Sequence, residues 1–226
     1  MKKIFVPIFM IFILLISYSV LAQGNILIKE MTNDEIKRIS LIENPSTGYR
    51  WHISIENNDI IHKLAESSKE INKNENVIGS PIIRNWEFVA KKKGVSKINF
   101  SLYRTGNKEN IKKKKTFIFV VGLPVIKIDN EAGVGIIKLM KSSSNSFNWD
   151  SEILDKDIVN LIFEESQPLG ISEDDNEENK YTVQKYINIW YFNGLKTGYS
   201  LVNFKLYDKS DIEKIKKEKK YVFIVQ

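Results

Sequence analysis

Trp51 and Trp149 stand 98 residues apart and Trp86 and Trp190 stand 104 apart, so this 226-residue chain carries one pattern twice. At the first offset Ile39-Ser40-Leu41 falls on Ile137-Lys138-Leu139, and Tyr49 falls on Phe147. At the second, Phe88, Gly94, Ser96, Asn99, Phe100, Leu102 and Tyr103 fall on Phe192, Gly198, Ser200, Asn203, Phe204, Leu206 and Tyr207. Phe117, Phe119 and Val121 then meet Tyr221, Phe223 and Val225. A longer acidic loop around Ser172 to Asn179 absorbs the growth in offset. Each half must therefore close a core of its own.

Several segments that repeat read as alternating strands: Asn99 to Tyr103 and Val202 to Tyr207 alternate apolar and polar side chains, and Thr116 to Val121 and Tyr221 to Val225 are read with them. That period suits strands with one face buried. Helical periodicity is weak, and the charged stretch Asp211 to Lys220, which aligns with Asn107 to Thr116, reads as a hairpin connection rather than a helix. Copies of about 100 residues are the usual size of an immunoglobulin-like sandwich. The spacing predicts an all-β protein of two tandem domains, 23–123 and 124–226, joined around Gly122-Leu123-Pro124, with Val125 to Ile128 as a linker strand or the first strand of the second copy. Trp51, Trp86, Phe100, Trp149, Trp190 and Phe204 are expected in the cores.

Residues 1–22 read as an export signal. Lys2 and Lys3 precede an apolar run from Ile4 to Ile16, and Val20-Leu21-Ala22 offers a cleavage point before Gln23. The alternative is a retained anchor, because Ile4 to Leu21 is nearly long enough to span a bilayer. With cleavage, the chain is expected to be secreted or periplasmic and free of the membrane. Cysteine is absent, which excludes disulfides, a thiol nucleophile and Cys-ligated zinc. The balance of 34 Lys+Arg against 28 Asp+Glu is a mild bias, part of it in the leader, and the cluster Lys112 to Lys115 reads as a solvated strand end. No nucleic-acid partner is expected without a broader basic face. His52 and His62 lack a nucleophile or a metal-ligand spacing, and His52, alternating with Trp51, is expected to face solvent. The pairs Glu164-Glu165 and Asp174-Asp175 have nothing near them to separate their pKa values. No catalytic residue, metal or cofactor is expected, and the chain is not read as an enzyme.

Between two apolar runs lies Asn44-Pro45-Ser46-Thr47-Gly48-Tyr49, followed by Trp51. By composition this is a turn, since Asn, Pro, Ser and Gly all form turns. Pro45 fixes its own φ and drives Asn44 toward extended backbone, while Gly48 can supply a positive φ. The hexapeptide with its Trp resembles the Asn-Pro-Thr-Thr-Gly-Tyr/Phe-x-Trp signature of the chagasin family, proteinaceous inhibitors of papain-like cysteine proteases, and the layout to Val121 resembles it too. The resemblance implies an immunoglobulin-like β-sandwich and a papain-like cysteine protease as partner. It implies a protease-binding surface of three loops, with Ser46-Thr47-Gly48 as the wedge against the catalytic thiol.

The other two loops depart from the family's pattern. Gly79-Ser80-Pro81 keeps one glycine of a glycine-rich segment and adds a proline, which has no N–H for a ladder. Arg104-Thr105-Gly106 keeps the Arg of an Arg-Pro-Trp motif and lacks its Trp, and Arg104 is equally well read as a solvated hairpin residue. The second copy has Ser142-Ser143-Ser144-Asn145-Ser146-Phe147 in place of the central loop and Asp208 in place of Arg104, so it is expected to keep the core and lose the inhibitory edge. Glu173 to Glu178 reads as a solvated acidic loop. The function expected is reversible, non-covalent inhibition through Asn44, Pro45, Ser46, Thr47, Gly48, Tyr49, Gly79, Ser80 and Arg104. The alternative is a secreted or surface binding or adhesion module that uses the same loops for another partner.

Overall fold

Both halves of the computed structural model are built of strands, and it describes residues 26–71, 79–129, 133–141, 147–172 and 183–226. The expected export signal, the second-copy loop Ser142 to Ser146 and the acidic run Glu173 to Glu178 lie outside the described residues. The first half holds β1 (Ile26–Met31), β2 (Ile36–Glu43), β3 (Tyr49–Ile55), β4 (Ile61–Glu70), β5 (Ile82–Ala90), β6 (Gly94–Arg104) and β7 (Lys113–Val121). The second holds β8 (Val125–Ile128), β9 (Val134–Lys141), β10 (Phe147–Ile153), β11 (Val159–Ser172), β12 (Val183–Gly194), β13 (Gly198–Asp208) and β14 (Asp211–Val225). Among the described residues there is no α-helix, and Asp211 to Lys220 continues β14 in a hairpin with β13.

Among the described residues four sheets result, in the orders β1-β7-β6-β3, β2-β5-β4, β10-β13-β14-β8 and β11-β12-β9. The second pair repeats the first strand for strand. Val125 to Ile128 is the counterpart of β1, since it pairs parallel with β14 as β1 does with β7. A bulge between Lys63 and Ala65 in β4 recurs between Leu161 and Phe163 in β11.

The cores repeat as closely as the sheets. Trp86 meets Phe100 edge-on at 5.0 Å and Trp190 meets Phe204 at 4.8 Å; Phe88 and Phe192 complete each cluster. All six rings are fully buried, and each such burial contributes about 1.5–3 kcal/mol. Gly94 and Gly198 sit in matched close contacts, since a Cβ would lie 2.5 Å from Ile60 Cδ1 in the first copy and 2.7 Å from Ile158 Cδ1 in the second and would push the isoleucine end aside.

Alternation suggested one buried face per strand, but the central strands β7 and β14 are buried on both. Phe117, Phe119 and Val121 face the first core, while Ile118 and Val120 meet Val222 and Ile224 in a separate cluster, flanked by Val95, Leu123 and Leu201. The two sandwiches thus pack sheet on sheet, making four layers. Gly122, Leu123 and Pro124 join them at the end of β7 away from Lys113. That leaves the opposite end of the first sandwich, where the loops after β2, β4 and β6 emerge, free of the join.

Candidate functional site

The central loop begins with a staple. Along β2 the inward phase runs Ile39, Leu41, Glu43, so alternation carries a carboxylate into the sandwich, where it is only 4 % exposed. Glu43 Oε2 accepts the Trp51 backbone N–H at 2.8 Å, and its Oε1 lies near the guanidinium groups of Arg50 (3.4 Å) and Arg84 (3.5 Å). The Trp51 indole N–H donates to the Ile42 carbonyl at 2.9 Å. Both ends of the loop are therefore tied together across two different sheets. A buried carboxylate is tolerable only with such partners.

Between these ties the chain makes a 3-10 turn over Pro45–Thr47. Asn44 is extended, at φ −114°, as the following proline requires, and its side-chain oxygen accepts from Ser46 N (3.2 Å) and Ser46 Oγ (2.7 Å). Its carbonyl accepts from Thr47 N (3.2 Å) and Thr47 Oγ1 (2.7 Å), and Gly48 N donates to the Pro45 carbonyl at 3.1 Å. Gly48 closes the turn at φ 75°, a left-handed conformation that glycine adopts without penalty. Ser46, Thr47 and Gly48 are all exposed. Fixing a residue costs about 1–2 kcal/mol, so a turn already locked by its own hydrogen bonds avoids most of that on docking.

The second and third loops converge on this turn. Gly79, at φ 91°, lies so close to Ser46 that a Cβ on it would stand 2.8 Å from Ser46 Cβ and overlap Ser46 Oγ. Ser80 follows it, partly buried, before the strand that starts at Ile82. Arg104 sits directly opposite Tyr49 in the β3–β6 register, and its guanidinium lies 4.9 Å from the Tyr49 ring. Lys112 Nζ is 4.7 Å from the same ring. The residues expected to form one surface are thus brought together, with Lys112 added. Gly79→Ala is expected to push the Ser46 side of the turn outward and, because a side chain on this left-handed backbone costs about 1–2 kcal/mol, to lower the melting temperature by several degrees; a thermal melt checks this.

Sequence reasoning missed Glu43, Arg84 and Lys112. A charged residue in the inward phase of β2 was the available signal for Glu43. The loss of the family's Trp after Arg104 also has a structural side: Arg104 to Asn107 form a tight turn, with Asn107 N donating to the Arg104 carbonyl at 2.9 Å and Gly106 at φ 91°. A tryptophan at position 106 would meet a left-handed backbone. His52 does not simply face solvent: its ring stacks on Tyr103 at 3.7 Å, and burial, aided by the Arg84 charge, holds the imidazole below its usual pKa. Its Nε2 is buried and has no hydrogen-bond partner among the described residues. No group of three or more His, Asp or Glu among the described residues is placed to hold a metal ion.

Residues 30–121, which include every element of this site, match the family described as Chagasin family peptidase inhibitor I42. The first sandwich is a chagasin-family domain. Chagasin-family proteins are peptidase inhibitors and not enzymes. A cysteine protease inhibitor from Entamoeba histolytica, EhICP2, is similar to the chain at 24% identity over 42% of this chain and 93% of that one, with a TM-score of 0.37. PbICP-C, solved in complex with falcipain-2, is 26% identical over 44% of this chain and 89% of its own, with a TM-score of 0.30. The C-terminal domain of the Streptococcus agalactiae AgI/II polypeptide BspA aligns with 87% of the chain and 95% of its own length, at 6% identity and a TM-score of 0.29. No curated protein matches the sequence.

Beyond the chagasin-family domain, the second sandwich keeps half of the staple. Trp149 donates to the Met140 carbonyl at 3.2 Å, as Trp51 does to Ile42. Where Glu43 and Arg84 stand, the second copy has Lys141 and Asn188; Lys141 Nζ lies 5.7 Å from the Tyr186 ring, and the buried Asn188 Oδ1 has no partner among the described residues. The core survives there without the carboxylate that fixes the loop base.

Proposed function

We propose that the first sandwich inhibits papain-like cysteine proteases reversibly, seating Asn44 to Tyr49 in the active-site cleft with Gly79-Ser80 on one flank and Arg104 on another. The observation that carries this reading is loop-to-loop contact: Gly79 against Ser46 and Arg104 against Tyr49, within a domain that matches a peptidase inhibitor family. The inhibition is steric. Exposed Gly48 has no side chain, so its backbone can approach a catalytic thiol and imidazole closely. An extended segment pairs readily with a partner's backbone, whereas here Thr47 N and Gly48 N are bonded inside the 3-10 turn. Within the turn from Pro45 to Gly48 no bond is presented in the extended form a protease cleaves.

The test is binding to a papain-like protease whose catalytic Cys is changed to Ala. A non-covalent wedge is expected to bind this variant within about tenfold of the active enzyme, and mass spectrometry after long incubation with active protease should find the inhibitor intact. Loss of binding to the variant, or cleavage within 44–49, contradicts the proposal.

A further inference from the structure

The outer faces of the two outermost sheets differ in a way the fold does not require. In the first sandwich the cross-strand rows read Ala65-Glu87-Arg38 and Ser67-Asn85-Ser40. Arg38 Nε donates to Glu87 at 3.1 Å and Ser40 Oγ to Asn85 at 2.7 Å, so these two rows are polar and satisfied by their own pairs, while the next row reads Lys69-Ile83-Ile42. The same rows in the second sandwich read Phe163-Tyr191-Ile136 and Glu165-Ile189-Lys138, and the next reads Gln167-Ile187-Met140. Phe163 is 55% exposed, Ile136 45%, Met140 66% and neighbouring Val134 51%. Met140 and Val134 match Ile42 (62%) and Ile36 (52%) of the first sandwich, so the difference lies where Phe163-Tyr191-Ile136 replaces Ala65-Glu87-Arg38 and where Ile189, itself 3% exposed, replaces Asn85. A polar row has become an exposed apolar one there, which marks an interaction site.

We propose that this face pairs two copies of the chain, outer sheet on outer sheet, about a two-fold axis parallel to the strands and centred on Ile189. That operation is isologous, and the register fixes what meets what. Glu165 and Lys138 flank Ile189 on opposite sides, so the rotation sets Glu165 of each copy over Lys138 of the other. Phe163 falls over Ile136, Gln167 over Met140, and Tyr191 and Ile187 pair with themselves. The only charges in these rows thus become complementary across the axis. Tyr191 Oη donates to Glu165 Oε1 at 2.7 Å and holds that carboxylate in place at the edge of the apolar rows. The outward faces of β7 and β14 already cover each other within the chain, whereas the β9–β12–β11 face stays open among the described residues.

Sedimentation equilibrium on the purified protein, both sandwiches present, tests this. A dimer is expected at about 10–100 µM, in the range of modest homodimers. Ile136→Arg with Tyr191→Glu installs the pair the first sandwich carries at Arg38 and Glu87, so the fold should tolerate it, with an unchanged circular dichroism spectrum as the control. It is expected to raise the dimer dissociation constant by about 100-fold or more, since charges are then buried in each half of the interface. Lys138→Glu and Glu165→Lys should each weaken the dimer, and the double swap should restore it. A wild-type monomer at about 100 µM, a dimer indifferent to Ile136→Arg with Tyr191→Glu, or a double swap no better than the singles would overturn the proposal. So would a monomer that floats with phosphatidylcholine vesicles, which would give the face to lipid.

Discussion

Gly48→Trp is expected to raise the inhibition constant for papain by about two orders of magnitude or more, the equivalent of about 3 kcal/mol. Three facts set this size. Gly48 stands at φ 75°, where a side chain costs about 1–2 kcal/mol. It is exposed at the tip of the turn, so an indole there projects into whatever the turn enters. The first added atom itself finds room, with Arg104 Cγ 3.9 Å away, so the sandwich beneath need not move. Gly48→Ala separates the contributions: it carries the backbone cost alone and should lose only about tenfold. Inhibition titrations beside thermal melts decide the matter, and a tryptophan variant that inhibits like the parent would remove the wedge from the account.

Glu43→Ala is expected to destabilise the first sandwich by about 3 kcal/mol, the low end of the range for stripping one partner from a buried charge cluster. The Trp51 N–H would lose its acceptor inside the core, and Arg50 and Arg84 would face each other without the carboxylate between them. Both arginines are partly exposed, which lets water relieve some of the repulsion and keeps the figure at that low end. Because the same carboxylate ties the base of the turn, inhibition should weaken along with stability. Glu43→Gln keeps an acceptor for the Trp51 N–H and should recover about half of the loss. Chemical denaturation followed by tryptophan fluorescence, to which Trp149 and Trp190 of the second sandwich also contribute, reads this. Equal stability for all three proteins would show that the cluster is incidental.

The fold was largely legible because the repeated aromatics pin strand phase in both copies: Trp51, Trp86 and Phe100 fix which residues face inward, and Trp149, Trp190 and Phe204 repeat the instruction. The packing of one sandwich on the other was written less openly. Phe117 to Val121 is a continuous apolar run, which signals a strand covered on both faces, whereas its Phe117-Phe119-Val121 phase taken alone reads as a single buried face. At the site, the turn's geometry followed from Pro45 and Gly48, whose backbone limits are local. The contact of Gly79 with Ser46 depends on how the β4–β5 hairpin returns across the sandwich end, and no local rule gives that. Glu43 and Arg84 needed a long-range register to meet, although a carboxylate in the inward phase of β2 marked where one partner had to be found. At Arg104 the missing anchor has a backbone side: Gly106 stands in open space but at φ 91°, a conformation that a bulky residue rarely adopts.

The most direct measurement is the steady-state inhibition of papain by the purified two-sandwich protein, titrated against a peptide substrate. Occlusion by the turn at Asn44 to Tyr49 predicts tight, reversible inhibition that is purely competitive and relieved by substrate. An absence of inhibition at about 10 µM, or inhibition that substrate does not relieve, would contradict the assignment of these loops to a protease cleft.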